Sequence, residues 1–195
     1  FSVTVLNLMC HIPQFAHLNI GHIKKSDHGW KNDITVHLLC PMQLILTFDC
    51  DPAQFRTDVC NAKIEIHCDN FFAVLYNTDM HDSDNFLDGL FCGPLLCKTF
   101  EWLFCGHKVA RGLLQYGDKT SGRELFLTAY KICQVMPQMI AYAACIVSCH
   151  DGTFDMPAFH MNVVMSFIPD EWAEDTLAWW DKYVALYNVI SIHTY

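Results

Sequence analysis

The stretch LILTFDCDPAQF, residues 44–55, sets the prediction of the fold. Its first five residues form a continuous apolar run, which is typical of a strand buried on both faces of a sheet. Asp49 and Asp51 follow directly, and the carboxyl end of such a strand is where open α/β sheets bind ligands. The stretch therefore predicts either a strand end that carries catalytic carboxylates or a strand that ends in a polar turn.

Four other segments of the first half resemble strands because they are rich in β-branched and aromatic residues and are bounded by Pro, Asp or Asn. These are residues 2–8, 33–39, 62–68 and 71–76. The last of them, FFAVLY, is apolar without alternation. We therefore expect it to be buried and to pair in parallel with residues 44–48.

The second half contains helical patterns. An amphipathic helix is predicted over 169–190, where Pro169 and acidic residues precede an apolar stripe. Pro94 and Gly117 suggest a helix between them, and Ser121 with Glu124 has the spacing of a capping box. Further helix is predicted over 121–137 and a strand over 160–168, whereas residues 139–149 fit either helix or buried strand.

These patterns predict one globular domain spanning residues 1–195, since no linker-like segment interrupts the chain. The predicted class is α/β or α+β. In it, a mixed sheet from the strand-rich N-terminal half is packed by helices from the C-terminal half.

Charge and composition exclude several classes of partner. The net charge is -9 with 12 Lys and Arg residues, which argues against binding to nucleic acid or to an anionic membrane surface. No apolar run reaches the roughly 20 residues that a membrane span requires, so no membrane partner is expected. Acidity of this kind suits solubility or a divalent cation.

Eleven cysteines are scattered along the chain without any C-x-x-C pair. An odd, irregular set argues against a disulfide framework and favours reduced, mostly buried thiols. With no recognisable secretory signal, this pattern predicts a cytoplasmic-like location. Cys92, Cys97, Cys105 and His107 have zinc-ligand chemistry, but their spacing fits no zinc module, so core packing is expected.

The segment FDCDPAQF, residues 48–55, resembles the first motif of the haloacid dehalogenase superfamily, an apolar strand followed by D-x-D. The later motifs of that superfamily have counterparts in the same order along the chain. Thr78 follows the predicted strand 71–76, Lys119 precedes a predicted helix, and Asp151 and Asp155 stand between an apolar segment and a predicted strand. The resemblance covers about residues 43–168.

This resemblance implies a magnesium-dependent phosphohydrolase that acts on a small phosphorylated substrate. Asp49 would be the nucleophile and Asp51 the general acid and base, while Thr78 and Lys119 would bind the phosphate. Carboxylates are the ligands that Mg²⁺ prefers. The implied metal ligands are Asp49, Asp51, Asp151 and Asp155.

Two other functions are compatible with the sequence. The chain has 11 His and 11 Cys, each nearly as many as its Lys and Arg together, which number 12. Evolved surfaces usually carry more charged residues. This composition fits a designed or orphan protein without catalytic activity. Its hydrophobic fraction of 52% fits a module that binds small molecules or proteins through an apolar pocket or surface.

Overall fold

The structure, a computed structural model, describes residues 3–16, 33–81, 84–113, 126–148, 154–168 and 170–188. Within these ranges the chain forms ten α-helices: α1 Val3–Met9, α2 Asp33–Leu39, α3 Ile45–Cys50, α4 Pro52–Cys60, α5 Pro94–Phe100, α6 His107–Ala110, α7 Phe126–Ala129, α8 Pro137–Ser148, α9 Met156–Ser166 and α10 Glu171–Asn188. A π-helical segment, Glu101–Cys105, continues α5. Short 3₁₀ segments are Pro13–Phe15, Met42–Leu44 and Ala73–Leu75.

The predicted mixed sheet is wrong. Strand-like pairing in the described residues is confined to two isolated antiparallel bridges, Pro41 to Phe72 and Tyr76 to Leu90. Residues 44–48 belong to a 3₁₀ segment and to α3, and residues 71–76 enclose the 3₁₀ segment Ala73–Leu75. The fold is therefore helical, and neither the α/β nor the α+β class holds.

Three further predicted strands are helices because their apolar residues also fit a helical period. Residues 2–8 contain most of α1, residues 33–39 form α2, and residues 160–168 belong mainly to α9. In α9 the buried side chains of Phe159, Val163 and, just beyond its end, Phe167 lie four residues apart. Short apolar runs satisfy the patterns of buried strand and helix together, and packing decides between them.

Of the remaining predicted elements, some are confirmed and others are wrong. Residues 62–68 form an irregular loop instead of a strand, and the ambiguous segment 139–149 lies largely within α8. The helix predicted over 94–117 is interrupted at Gly106, which has a φ of 97°. Of the helix predicted over 121–137, residues 126–137 are described. In them, only α7 and the first residue of α8 are helical. The amphipathic helix of 169–190 is confirmed as α10.

The main core lies where α5, α8 and α9 pack together, with α1 against α5. Its largest fully buried side chain, Trp180, belongs to α10 and packs on Phe100 with ring centroids 4.8 Å apart. A second apolar cluster joins α2, α3 and α4 through Val36, Phe48 and Phe55. In the described part of the chain, no helix is both long and apolar enough to cross a membrane.

Gly93 allows α5 to begin directly against the 3₁₀ segment Ala73–Leu75. Its N–H donates to the carbonyl oxygen of Leu75 at 3.0 Å. A Cβ atom at this position would lie 2.3 Å from the carbonyl oxygen of Val74. Because Gly93 has an ordinary φ of -59°, this close approach, and not its backbone conformation, requires glycine.

We expect Gly93→Ala to lower the free energy of unfolding by about 1–3 kcal/mol, because the added methyl group forces two backbone segments apart. Urea denaturation followed by circular dichroism measures the change. Gly112→Asn is the matched control, since Gly112 has a φ of +67°, a Cβ atom added there would have nothing within 4 Å, and asparagine tolerates that conformation. A Gly93→Ala protein as stable as the wild type would contradict the close packing.

Candidate functional site

Asp49 and Asp51 lie at a junction between two helices and not at the end of a strand. Asp49 is in the last turn of α3, exposed, with an oxygen 3.8 Å from Nε2 of His37. Asp51 is the N-cap of α4: its Oδ1 accepts a hydrogen bond from the Gln54 N–H at 2.9 Å, and Pro52 is the first helical residue. An aspartate before proline at a helix start is a known capping pattern, so the sequence did contain this signal.

Two of the other predicted site residues, Thr78 and Asp155, lie within the described part of the chain. Asp155 is the N-cap of α9 and accepts a hydrogen bond from the Ala158 N–H at 3.0 Å. Thr78 lies in an exposed turn, and Lys119 and Asp151 lie outside the described residues. Across the described ranges, no group of three or more His, Cys, Asp and Glu side chains is arranged to hold a metal ion, so magnesium gains no support.

A different carboxylate, that of Glu101, is deeply buried. Glu101 opens the π-helical segment after α5 and is 1% exposed. Segments of π-helix inside α-helices occur frequently at functional sites. A carboxylate withdrawn from water to this degree is costly unless its oxygens are hydrogen-bonded and its charge is paired.

Both oxygens of Glu101 have partners. The Lys98 ammonium, one helical turn earlier on α5, donates to Oε2 at 2.7 Å, and the Tyr183 hydroxyl on α10 donates to Oε1. Lys98 keeps 22% of its side chain exposed, so the pair lies at the edge of the core. The carboxylate thus links α5 to α10 and is compensated in charge.

A cavity of about 210 Å³ adjoins this ion pair. It opens to solvent, and its surface is mostly apolar. Trp179 and Tyr183 form one wall as stacked rings, with centroids 5.3 Å apart and an interplanar angle of 14°. The lining residues are Ile12, Pro13, Gln14, Asn77, Cys92, Pro94, Cys97, Lys98, Trp179 and Tyr183.

Polar contacts along α10 fix the position of this wall. The Trp180 indole N–H donates to the carbonyl oxygen of Phe91 at 3.0 Å, and the Trp172 indole N–H donates to that of Leu87 at 3.0 Å. Asp181 accepts a hydrogen bond from the Val135 N–H at 2.7 Å. Because these contacts lie on both sides of Trp179 and on the same helix as Tyr183, the cavity wall is held in place without a ligand.

Residues 3–185 match the model of a family described as a family of unknown function (DUF6698). The chain belongs to this family. The matched region contains Lys98, Glu101 and Tyr183, and having a family argues against an orphan sequence. No curated protein and no solved structure matches the chain.

The thiols beside the cavity are unsuited to nucleophilic chemistry. Burial raises the pKa of Cys92 to about 12. Burial also raises the pKa of Cys97 well above its usual value, with smaller contributions from Cys92 and the negative charge of Glu101. Cys105, which contributes to the core near Glu101, has a pKa raised to about 12 by burial and by that carboxylate. All three thiols therefore stay protonated at neutral pH.

Ten of the cysteines are described, and all ten are free thiols. Four of them are buried, Cys40, Cys92, Cys97 and Cys105, while four are exposed. Burial is therefore less general than the sequence predicted. The expected core packing of Cys92, Cys97 and Cys105 is confirmed, and His107, expected with them, is exposed.

The sequence carried a partial signal for this site. Lys98 and Glu101 are the charged residues within the apolar stretch PLLCKTFEWLFC, residues 94–105, at the i, i+3 spacing of a helical ion pair. Tyr183 lies 82 positions further along the chain from Glu101. No local pattern indicates that contact.

We expect Asp51→Ala to lower the free energy of unfolding by about 1 kcal/mol, because α4 loses its N-cap. Asp49→Ala is the matched control and should change stability by less than about 0.5 kcal/mol, since exposed ion pairs contribute little. Thermal and urea denaturation of both variants measure the difference. Equal losses of stability would show that Asp51 does not act as a cap.

Proposed function

We propose that this protein binds a small molecule in the cavity between α5 and α10. The observation that supports the proposal is an apolar cavity with a cation at its edge, Lys98, held by the buried Glu101 carboxylate. Binding sites for small molecules are usually concave and mostly apolar, with a few polar groups that fix the orientation of the ligand. Lys98 supplies such a group, and the stacked rings of Trp179 and Tyr183 supply a rigid apolar surface.

The size of the cavity limits the ligand. Sites for drug-sized molecules occupy about 300–1,000 Å³. An engineered apolar cavity of about 150 Å³ is sufficient for benzene. A cavity of about 210 Å³ therefore encloses roughly nine non-hydrogen atoms of a ligand.

Binding is favoured over catalysis because the groups around the cavity are not activated. The thiols of Cys92 and Cys97 stay protonated, and the charge of Lys98 is compensated by Glu101. The phosphohydrolase interpretation gains no support in the described residues. Asp51 and Asp155 act as helix N-caps. Asp49 was expected at the end of a strand, but the segment that contains it is the helix α3.

A fragment screen by ligand-observed NMR tests this proposal. We expect several apolar fragments of six to ten heavy atoms, on the order of the cavity size, to bind the wild-type protein. Gln14→Trp should abolish or strongly weaken their binding. Gln14 lines the cavity but is exposed, so the larger indole can occupy the cavity opening without disturbing the core.

The matched control is Gln138→Trp, which places the same side chain at an exposed position of α8 that does not line the cavity. Fragments should bind this variant as they bind the wild type. An absence of fragment binding, or equal binding to the Gln14→Trp and Gln138→Trp proteins, would refute a ligand site in this cavity.

A further inference from the structure

The hydrogen-bonding capacity of Lys98 is incompletely used. An ammonium group has three N–H donors. In the described part of the chain, the hydrogen bond and ion pair of Lys98 are both with Oε2 of Glu101. The side chain lines the cavity and is 22% exposed, so its remaining donors can bind water or a ligand that enters the cavity.

The charge at this end of the cavity is already balanced. Glu101 is 1% exposed and lies 2.7 Å from the ammonium, so the pair is neutral as a unit. An anionic ligand at Lys98 would bring a second negative charge close to the buried Glu101 carboxylate, which repels it. A neutral hydrogen-bond acceptor avoids this repulsion.

The rest of the cavity favours a compact apolar group. The stacked rings of Trp179 and Tyr183 form a flat wall, and Pro94 and Ile12 contribute apolar surface. A planar ring fits against such a wall with offset or edge contacts. The volume of about 210 Å³ accommodates one six-membered ring with a short substituent.

We infer that the ligand is a small, neutral carbonyl compound with one ring, whose carbonyl oxygen accepts a hydrogen bond from Lys98. This inference rests on the proposed function, because it names the class of molecule that the same cavity takes. Glu101 orients the ammonium, and Trp179 selects for the flat ring. The carbonyl oxygen favours this ligand over an apolar one of the same size. An apolar ligand would displace water from the ammonium without replacing the lost hydrogen bonds.

Three probes of nearly equal size separate the possibilities: acetophenone, which is neutral with a carbonyl; ethylbenzene, which has no acceptor; and benzoate, which is anionic. We expect acetophenone to bind more tightly than ethylbenzene by a factor of about ten or more. This is the ratio of dissociation constants that one hydrogen bond to a charged donor gives. We also expect it to bind more tightly than benzoate. Dissociation constants from NMR titration at neutral pH provide the comparison.

The double variant Lys98→Met with Glu101→Gln provides the matched control. It removes both charges together and leaves no unpaired carboxylate in the core. We expect the preference for acetophenone over ethylbenzene to fall to about twofold or less in this variant, as the charged donor is gone. Retained binding of ethylbenzene shows that the cavity of the variant is intact.

The outcomes distinguish the two proposals. Equal binding of acetophenone and ethylbenzene by the wild type would overturn the carbonyl class and leave the binding function standing. Tightest binding of benzoate would also overturn it, in favour of an anion site at Lys98. Failure of all three probes to bind, together with a fragment screen without hits, would overturn the binding function itself.

Discussion

The buried carboxylate of Glu101 is the constraint on which the arrangement of α5 and α10 depends. Removing a charge from water costs several kcal/mol, on the order of the whole stability of a small domain, unless partners compensate it. Here one partner comes from the same helix, Lys98, and the other from α10, Tyr183. An ion pair of this kind adds little net stability compared with apolar packing, but a movement of the helices that breaks it leaves a buried charge unpaired.

The turn before α5 imposes a second constraint that supports the first. Phe91 is fully buried with a φ of 59°, a conformation that an aromatic residue adopts only when its surroundings require it. Its carbonyl oxygen accepts the hydrogen bond from Trp180, and its ring stacks on Phe167 with centroids 5.3 Å apart. Two residues later, Gly93 contacts the Ala73–Leu75 segment. The start of α5 is thereby fixed on one side by α10 and on the other by this segment.

These constraints explain why the cavity is preformed. Lys98 and Cys97 belong to α5, whereas Trp179 and Tyr183 belong to α10. Besides the Glu101 contacts, the hydrogen bonds of Gly93 and Trp180 hold the two helices from outside the cavity. Their separation leaves a space that the side chains do not fill. A ligand that enters it does not need to order its surroundings, which lowers the entropic cost of binding.

The sequence predicted those parts of the structure that local pattern alone determines. The helix α10 was predictable because its 18 residues give several turns of amphipathic spacing and an acidic first turn. The helices α1, α2 and α9 were not, since each has only two or three turns whose apolar residues also fit a buried strand. Asp51 was expected at a strand end because an aspartate there and one at a helix N-cap have the same apolar segment before them. The contact of Tyr183 with Glu101 depends on tertiary packing, which no local pattern encodes.

A double-mutant cycle on Lys98 and Glu101 tests the central claim most directly. Lys98→Met should lower the free energy of unfolding by about 3–5 kcal/mol, because it leaves the Glu101 carboxylate buried without its cation. Glu101→Gln should cost less, since the partly exposed ammonium can turn to water. The double variant should be more stable than Lys98→Met alone, with a coupling of at least about 1 kcal/mol. Additive losses, or a Lys98→Met protein as stable as the wild type, would show that Glu101 is not a buried, paired charge.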